Sequence, residues 1–316
     1  MSVGVVLRIR PVRVPQLINA PHAMPYQGSK RRLAHAIVRL IPDDISTLHE
    51  PFAGSAAITI ATRHIRLTES AQISDINEPL IALWQEILYR PSELAGEYQR
   101  LWHAQLADPR TYYDEIRARF NETQEPRLLL YLLARCVKAA VRYNRRGEFN
   151  QGADHRRLGV RPDRMRTRLI STSQTLRGTT ARTVDYGDAL KTADPRAVVY
   201  MDPPYEGVSN TRDHRYMRGL DKASFEAALA DAIRNDVSFI VSYDGTSGNH
   251  SYGGPLSPEL RLLHLHLYAG RSSQATLQGL AKDTLESLYL SPVLVDRLGG
   301  ATGVHNRLGG ATHNAN

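Results

Sequence analysis

The chain has 316 residues, of which 42% are hydrophobic and 23% are charged, as in ordinary globular proteins. Its 40 Lys and Arg against 32 Asp and Glu give a formal charge of +8, which favours a polyanionic partner only weakly. The single cysteine, Cys136, excludes an intrachain disulfide and a cysteine metal cluster. No apolar run reaches the ~20 residues of a membrane span, and the N-terminus lacks the apolar centre of a signal peptide. We therefore expect a cytoplasmic protein with no metal and no membrane attachment.

Residues 1–23 precede the first recognisable motif, and we interpret them as an N-terminal extension that need not be ordered. An alternative hypothesis is that translation starts at Met24. The sequence PYQGSK at 25–30 predicts a loop, and apolar residues recur at helical spacing through 33–41. Lys30 lies near the N-terminus of that helix, where a cation opposes the helix dipole. It is either the partner of an anionic ligand group or a solvated lysine.

A strand, a small-residue turn and a helix are predicted next, which is the layout of a nucleotide-type binding loop. The turn reads AGSAA at 53–57, and its small side chains let a ligand approach the backbone. The N-terminus of the helix favours negative charge there. About twenty residues past the glycine, a second strand ends at Asp75, where a ribose-binding carboxylate is expected. Asn77 is predicted to cap the helix that follows.

Residues 91–135 have the apolar periodicity of helices, and the chain then becomes strongly basic over residues 138–168. Arg and Lys neutralise phosphates, and Arg, Asn and Gln read base edges. A solvated, arginine-rich surface loop is the other interpretation, but the polar side chains interleaved with the charge favour nucleic acid. The candidate DNA-binding residues are Lys138, Arg142, Asn144, Arg145, Arg146 and Asn150.

The stretch VVYMDPPY at 198–205 combines a short apolar strand with two prolines that must end it, because proline has no N–H for a strand ladder. It presents Asp202, Pro203, Pro204 and Tyr205 at the carboxyl edge of the strand, where ligands of open α/β sheets bind. The alternative interpretation is an ordinary strand that ends in a proline-rich turn.

The rest of the chain predicts further strands and one helix. Residues 209–219 form a polar, basic loop able to close over a substrate, and a helix capped by Asp221 or Ser224 follows it. An apolar strand is predicted at 237–243. Residues 260–268 and 284–291 alternate with period two and predict a strand pair around a basic loop. Residues 293–316 are rich in glycine, contain RLGGAT twice and predict a disordered tail.

Taken in order, five motifs resemble those of the Dam-like N6-adenine DNA methyltransferases: Tyr-x-Gly-Ser-Lys, Glu-Pro-Phe-x-Gly-Ser, Ser-Asp-Ile-Asn, Arg-Tyr-Asn-x-x-Gly-Glu-Phe-Asn and Asp-Pro-Pro-Tyr. The resemblance covers roughly residues 24–292. RYNRRGEFN followed by DPPY is specific, whereas the glycine loop is not. The chain departs from the family's pattern at Ala56, where a second glycine is usual, and at Tyr26, where many relatives carry Trp. Both changes keep the small size or the aromatic ring.

The resemblance implies a Rossmann-like, S-adenosylmethionine-dependent α/β methyltransferase fold, a mainly parallel sheet with an antiparallel terminal hairpin. It assigns residues 24–90 and 180–292 to the catalytic domain. Residues 91–179 would be an inserted helical, basic DNA-recognition domain. We expect a monomer.

The resemblance also implies roles for individual residues. The cofactor-binding residues would be Tyr26, Lys30, Phe52, Gly54, Asp75 and Asp202. Asp75 would take the ribose hydroxyls, and Asp202 would lie where cofactor and adenine meet. The Asp202 carboxylate and the Pro203 carbonyl would accept the two N–H bonds of the adenine amine, so that its lone pair points at the methyl group. Tyr205 would stack on the flipped-out base.

The expected function is site-specific methyl transfer from S-adenosylmethionine to the N6 amine of a flipped-out adenine in duplex DNA. It would serve host-DNA modification or protection from restriction, with a cognate endonuclease acting on the same site without a stable complex. One alternative is an RNA or protein-glutamine methyltransferase with the same motif, and another is a catalytically silent DNA-binding module. The Arg-rich insertion favours duplex DNA. The joint presence of Lys30, Asp75, Asp202 and Tyr205 argues against a silent module.

Overall fold

The computed structural model describes residues 7–9, 13–204, 220–247, 250–252, 254–271 and 283–309. Within them, nine strands join one sheet: β1 Leu7–Ile9, β2 Thr47–Pro51, β3 Ser70–Asp75, β4 Thr179–Thr183, β5 Val198–Met201, β6 Phe239–Ser247, β7 His250–Tyr252, β8 Leu263–Arg271 and β9 Asp283–Leu290. The same residues contain eleven α-helices: α1 Ala34–Ile37, α2 Ala57–His64, α3 Glu78–Tyr89, α4 Pro91–Ala104, α5 Pro109–Thr123, α6 Pro126–Arg135, α7 Pro162–Thr175, α8 Tyr186–Thr192, α9 Lys222–Arg234, α10 Pro292–Arg297 and α11 Gly300–Arg307.

The strands are ordered β1-β8-β9-β6-β5-β2-β3-β4, and β7 pairs with β6. Strands β2 to β6 are parallel, and β9 is antiparallel to both β6 and β8. The predicted mainly parallel α/β sheet with its antiparallel pair β8–β9 is therefore confirmed. From β2 the chain moves outward through β3 and β4, and then returns to place β5 on the other side of β2. This reversal is a topological switch point, where α/β sheets form a binding crevice at the carboxyl ends of their strands.

Strand β5 is apolar along its whole length because both faces of the sheet are covered. Val198 and Tyr200 pack into a core that includes α1 and the C-terminal helices, whereas Val199 and Met201 pack against α8 and α9. A parallel strand covered on both faces reads as a continuous apolar run. The strand ends at Met201, directly before Asp202, as the two prolines predict.

Four helices, α4 to α7, lie between α3 and β4, so they form an insertion after the second strand–helix unit of the parallel sheet. The loop between α6 and α7 is held by a buried arginine. Arg135 is 2% exposed and donates hydrogen bonds to the carbonyls of Asp154 and Arg157. Gly159 has a φ of +86°, and a Cβ atom on it would lie 3.0 Å from the Ala134 carbonyl oxygen. Buried guanidinium and close backbone packing therefore fix the path of this loop.

The N-terminal extension differs from the prediction, because residues 13–24 pack on the fold. Leu17 and Met24 are 6% and 3% exposed. The Val14 N–H donates to His35 Nδ1 at 3.0 Å, and β1 extends the sheet by pairing with β8. We call residues 13–24 the strap. Its small and apolar side chains cover α1 and α2, which explains why it is ordered.

The predicted disordered tail is also wrong for residues 293–308, which form α10 and α11. Each RLGGAT repeat ends one helix: Leu298 and Leu308 are buried, and the glycine after each has a positive φ, +84° and +94°. A left-handed glycine is the usual helix C-terminal signal. Each repeat's arginine pairs with an aspartate, Arg297 with Asp44 at 2.9 Å and Arg307 with Asp43 at 3.0 Å.

Several predictions fall on other parts of the chain. Tyr205, the loop 209–219 and most of the loop between β8 and β9 lie outside the described residues. Helix α9 begins after Asp221, whose carboxylate accepts from the Ser224 N–H at 3.0 Å, so Asp221 is the cap. None of the helices in the described ranges is long and apolar enough to cross a bilayer.

Candidate active site

The loop from β2 to α2, residues 52–56, turns sharply through left-handed backbone conformations. We call it the cofactor loop, because it carries the predicted cofactor-binding residues Phe52 and Gly54. Phe52, Gly54 and Ala56 have φ values of +59°, +45° and +47°. A Cβ atom on Gly54 would lie 3.1 Å from Cε1 of Tyr26, so the tyrosine ring packs directly on the glycine. The Phe52 ring instead stacks on Tyr186, with centroids 5.3 Å apart. The loop therefore exposes backbone rather than bulky side chains next to Tyr26.

Three hydrogen bonds attach this loop to its surroundings. The buried Trp84 indole on α3 donates to the Gly54 carbonyl at 3.0 Å. The Ser55 hydroxyl donates to the Ser29 hydroxyl at 2.7 Å, which joins the loop to the Gly-Ser loop at 27–30. The Ala53 N–H donates to the carbonyl of Ser74 on β3 at 2.9 Å. The loop is thus held by α3, by the Gly-Ser loop and by the neighbouring strand.

Asp75 ends β3 beside this loop and is 9% exposed. Its carboxylate accepts the Asn77 N–H at 2.9 Å. Burial raises the pKa of Asp75 to about 6, although the backbone N–H groups of Asn77, Gly54 and Ile76 lower it. At neutral pH the carboxylate is ionised and fixed in orientation. Asn77 caps α3, as predicted, because its side chain accepts the Leu80 N–H at 3.3 Å.

The N-terminus of α2 is occupied by the chain itself. The Glu50 carboxylate accepts the N–H groups of Thr59 at 2.6 Å and Ile58 at 3.3 Å. Glu50 is 4% exposed, and burial raises its pKa to about 7. The negative charge that the helix favours is therefore supplied by Glu50, to which the sequence analysis gave no role. Those two donors are not available to a ligand.

Lys30 lies between two carboxylates at the carboxyl end of β5. Its Nζ is 3.1 Å from Asp202 Oδ1 and 3.2 Å from Glu286 Oε2. The three side chains are only 10%, 23% and 19% exposed, so Lys30 is a partner of acidic groups rather than a solvated lysine. Burial raises the pKa of Asp202 to about 6; the charge of Glu286 also raises it, whereas Lys30 lowers it. Sequence reasoning missed Glu286, because a carboxylate in the alternating strand β9 is indistinguishable from an ordinary solvent-facing residue.

The predicted cofactor residues form one connected set at the carboxyl ends of β2, β3 and β5. Gly54 packs on Tyr26, and the neighbouring Ala53 N–H binds the end of β3 next to Asp75. The segment that carries Tyr26 also carries Lys30, which contacts Asp202. Pro203 is buried and Pro204 is half-buried where the chain leaves β5. A carboxylate, an ammonium group and exposed loop backbone therefore meet at the switch point of the sheet.

The basic segment contains a tight hairpin, residues 143–149, in which Tyr143 bridges Phe149. The Asn144 Oδ1 accepts the N–H groups of Arg146 at 2.9 Å and Glu148 at 3.0 Å, and its Nδ2 donates to the Glu148 carboxylate at 2.7 Å. The structure thus gives Asn144 a turn-forming role that the prediction did not include.

The hairpin lies beside the N-terminus of α3, and the chain just before it contacts the Gly-Ser loop. The Tyr143 hydroxyl is 3.3 Å from Asn77 Nδ2, and the Gln27 N–H donates to the Ala139 carbonyl at 2.9 Å. Its rings hold the hairpin in place, since Tyr143 and Phe149 are buried. Of the other predicted DNA-binding residues, Arg142 is half-buried and four are exposed: Lys138, Arg145, Arg146 and Asn150. The hairpin therefore presents positive charge at the rim of the site.

Comparison with known proteins identifies the family of this chain. A family model for the D12 class N6 adenine-specific DNA methyltransferases matches residues 26–259. The chain belongs to this family. The methyltransferase is 27% identical to the DNA adenine methylase of Salmonella typhi over 275 residues, 84% of this chain and 93% of that protein. It is 29% identical to the DNA adenine methylase of Escherichia coli K12 over 216 residues, 66% of this chain and 74% of that protein.

A third relative, the DNA adenine methylase of Serratia marcescens, is 30% identical over 190 residues, 59% of this chain and 67% of that protein. The resemblance drawn from the sequence motifs is confirmed. The methyltransferase acts on adenine in DNA, and enzymes of this kind use S-adenosylmethionine. The matched segment contains Lys30 and Asp202, whereas the strap and Glu286 lie outside it.

Proposed function

We propose that this methyltransferase modifies the N6 amine of an adenine that is flipped out of duplex DNA at a specific sequence. The observation that carries the proposal is the Asp202 carboxylate, held by Lys30 at the carboxyl end of β5 next to the cofactor loop. Its biological role would be modification of host DNA, including protection from a restriction endonuclease of the same specificity. We propose that it works as a monomer in the cytoplasm, where its substrate lies.

The residues at the switch point fit S-adenosylmethionine. The loop at 52–56 exposes backbone because Gly54 has no side chain, and Tyr26 closes one side of it. Asp75 offers an oriented carboxylate as acceptor for ribose hydroxyls. When bound there, the cofactor supplies an activated methyl group on a sulfonium cation. The Asp202 carboxylate stabilises positive charge in its neighbourhood.

Asp202 and Pro203 would activate the amine of adenine by positioning it. The lone pair of this amine is delocalised into the ring, which makes it a poor nucleophile. Two acceptors, the Asp202 carboxylate and the Pro203 carbonyl, would hold its N–H bonds and favour tetrahedral geometry at nitrogen. No covalent enzyme intermediate is needed. The base must leave the duplex to reach this site, and Tyr205 remains our predicted stacking surface for it.

The basic hairpin supports duplex DNA over the two alternative substrates, RNA and a protein glutamine amide. Arg145 and Arg146 are exposed at its tip, while its buried aromatic residues fix it beside Asn77. A rigid hairpin that carries positive charge at the rim of the site suits contact with phosphates and base edges around a flipped nucleotide. We propose the exposed residues Lys138, Arg145, Arg146 and Asn150 as DNA contacts.

The test is expression in a host that lacks adenine methylation, followed by sequencing of methylated adenines. We expect one methylated motif in cells with the wild-type enzyme and none with Asp202→Ala. In vitro, the transfer of a tritiated methyl group is compared on DNA, RNA and protein, and the Asp202→Ala variant should still bind duplex. Undiminished transfer by this variant, or transfer confined to RNA or protein, would contradict the proposal.

A further inference from the structure

The strap forms one wall of a cavity that shares Tyr26 with the proposed cofactor site but to which the proposed mechanism assigns no ligand. Arg31 ties the strap down, donating to the Ala20 carbonyl at 2.8 Å and lying 2.8 Å from His22 Nδ1. The cavity has a volume of about 1130 Å³ and is also lined by the start of α2 and by Tyr268 of β8. Ser29 and Ser55, which join the Gly-Ser loop to the cofactor loop, belong to the same lining. The cavity therefore borders the cofactor site.

The polar lining of this cavity is strongly basic. Among the described residues that line the cavity, three are arginines, two are histidines and none is acidic: Arg13, Arg31, Arg32, His22 and His35. Within the described part of the chain, neither Arg13 nor Arg32 has a carboxylate within ion-pair distance. Burial, together with the charges of Arg168 and Arg31, lowers the pKa of His22 to about 4. Burial also lowers the pKa of His35, so both imidazoles are neutral at pH 7. The three arginine charges repel each other unless an anion neutralises them.

The shape of the cavity favours a polymeric anion. Small-molecule pockets are typically about 300–1,000 Å³ and largely enclosed. This cavity is larger, and its apolar floor, Leu17, Met24 and Ile60, lies under a rim of arginines. A nucleic-acid strand alternates charged phosphates with less polar sugars, which complements a basic rim over an apolar floor. Arg168 of α7 extends the positive charge towards the insertion.

We propose that this cavity is a groove that binds the phosphodiester backbone of the DNA that flanks the target adenine. Phosphate contacts of this kind position the duplex without reading its sequence. The groove would then hold the DNA on one side of the target adenine, while the basic hairpin contacts the rest of the recognised DNA. The proposal rests on the DNA substrate alone and not on the assigned roles of Asp202 or Asp75.

The test measures DNA binding by Arg13→Ala, Arg32→Ala and the double variant. Both side chains are exposed, so we expect folding to be unaffected, which thermal denaturation checks. Fluorescence anisotropy over a salt series should show a log–log slope smaller by about 0.9 for each arginine removed. The loss of affinity should be large on a long duplex and small on one that ends next to the target. The methyl-transfer rate at saturating DNA should stay at the wild-type value.

Arg234→Ala is the control, because this exposed arginine ends α9, which packs on the face of the sheet opposite to the strap. Its salt slope should equal that of the wild type. Slopes in the double variant that equal the wild type on both duplexes would overturn the proposal. A second outcome would also overturn it: the double variant no longer binds inorganic phosphate but binds DNA as the wild type does. The groove would then be a site for small anions.

A second observation, independent of the groove, concerns Glu286. It lies on β9, and its carboxylate shares the Lys30 ammonium with Asp202. Lys30 Nζ is thus divided between two carboxylates, at 3.1 Å from Asp202 and 3.2 Å from Glu286. If Lys30 paired with Asp202 alone, it would take more of the acceptor capacity of Asp202.

We infer that Glu286 is a positioning residue that holds Lys30 partly away from Asp202. Asp202 then keeps acceptor capacity for the amine and negative charge for a sulfonium cation. This inference rests on the proposed function of Asp202. If Asp202→Ala kept full activity, the proposed function would fail, whereas the inference about Glu286 can fail on its own.

Glu286→Gln should lower kcat by about tenfold or more while the KM for DNA changes little, because the interaction acts on the reacting groups rather than on DNA binding. The acidic limb of the pH–rate profile should move to lower pH, because a charge that raises the pKa of Asp202 is removed. Glu286→Asp should recover part of the rate. Glu259→Gln, which removes an exposed carboxylate, is the control and should behave as the wild type. An unmoved acidic limb in Glu286→Gln would show a merely structural role and overturn the inference.

Discussion

At the scale of single residues, Asp202 must stay ionised in surroundings that favour its protonated form. Burial and the charge of Glu286 raise its pKa to about 6, and Lys30 opposes them at 3.1 Å. An ionised carboxylate accepts an N–H bond, whereas a protonated one loses much of that capacity. The proposed mechanism therefore makes the methyl-transfer rate depend on the protonation of one group.

We expect the single-turnover rate of methyl transfer to decrease as the pH falls through about 6 and to level off above it. The carboxylate of Asp75 titrates in the same range, so cofactor must be saturating at every pH. Rapid quench with tritiated cofactor between pH 5 and 8 measures the profile. Asp202→Asn should give a low rate without this acidic limb. A wild-type limb near pH 4 would contradict the prediction.

Glu50 should make the fold less stable as the pH rises, whereas the methyl-transfer rate should rise with pH. Its pKa is raised from 4.5 to about 7 in the folded chain, so its favourable contribution is complete below about 4.5 and is lost as the pH rises through 7. Glu50→Gln removes the charge and should flatten the decline in stability between pH 5 and 8, by on the order of 2–3 kcal/mol. Thermal denaturation over this range measures it. Parallel declines in the two proteins would argue against the assignment.

The sequence predicted the residues of the site that sit in local motifs and missed those brought in by strand pairing. Lys30 and Asp202 each follow a recognisable signal, but the sequence did not predict that they contact each other. Glu286 has no such signal, and Glu50 was given no role although it begins the Glu-Pro-Phe-x-Gly-Ser motif. Glu286 reaches Lys30 only because β9 is inserted between β6 and β8, and no local pattern of residues encodes that register.

At the scale of elements, the basic hairpin contains residues that contact DNA in our proposal and a residue that holds its turn. Arg145 and Arg146 are exposed, so replacing them should weaken DNA binding without affecting the fold. Asn144 holds the turn through three hydrogen bonds, so its loss should act through the turn.

We expect Arg145→Ala and Arg146→Ala to lower DNA affinity and to reduce the salt slope by about 1 each, with cofactor affinity unchanged. Asn144→Ala should lower DNA affinity together with thermal stability. Anisotropy, calorimetry with the cofactor and thermal denaturation measure the three quantities. Loss of cofactor affinity in the arginine variants would contradict this division.

The RLGGAT repeats show why composition alone misjudged the C-terminal helices. Small residues and glycine predicted disorder, but each repeat supplies a buried leucine and a left-handed glycine that ends a helix. Leu308→Ala should destabilise the protein by about 2–4 kcal/mol, the usual cost of truncating a buried leucine. Denaturant unfolding measures it, with Thr302→Ala, at an exposed position of α11, as the control. Equal stability of the two variants would mean that α11 adds nothing to the fold.

At the scale of the whole molecule, the strap and the C-terminal helices complete one core. Leu17 of the strap belongs to the same buried cluster as Leu294 and Leu308, together with α1 and β5. Segments far apart in the sequence thus cover the face of the sheet that supports Asp202. Periodicity is local, so it predicted individual strands and the pair β8–β9, whereas the mainly parallel sheet followed from the family resemblance. Neither could show what covers that face.

A form that begins at Met24 should therefore have lower thermal stability than the full chain, because it loses the burial of Leu17 and Ala20. It should also show the reduced salt slope for DNA that we expect from Arg13→Ala. Side-by-side melting and anisotropy measure both effects, and the intact mass of the natively expressed protein shows which form cells make. Equal melting temperatures would mean that the strap is dispensable for folding.

Asn77 touches both halves of the proposed reaction, and this has a thermodynamic consequence. Its N–H holds the carboxylate of Asp75, and its side chain meets the Tyr143 hydroxyl at the base of the basic hairpin. Two ligands that bias one shared contact are coupled, and coupling is reciprocal. If bound cofactor changes the affinity for DNA by some factor, bound DNA must change the affinity for the cofactor by the same factor. Tyr143→Phe should bring this factor towards one.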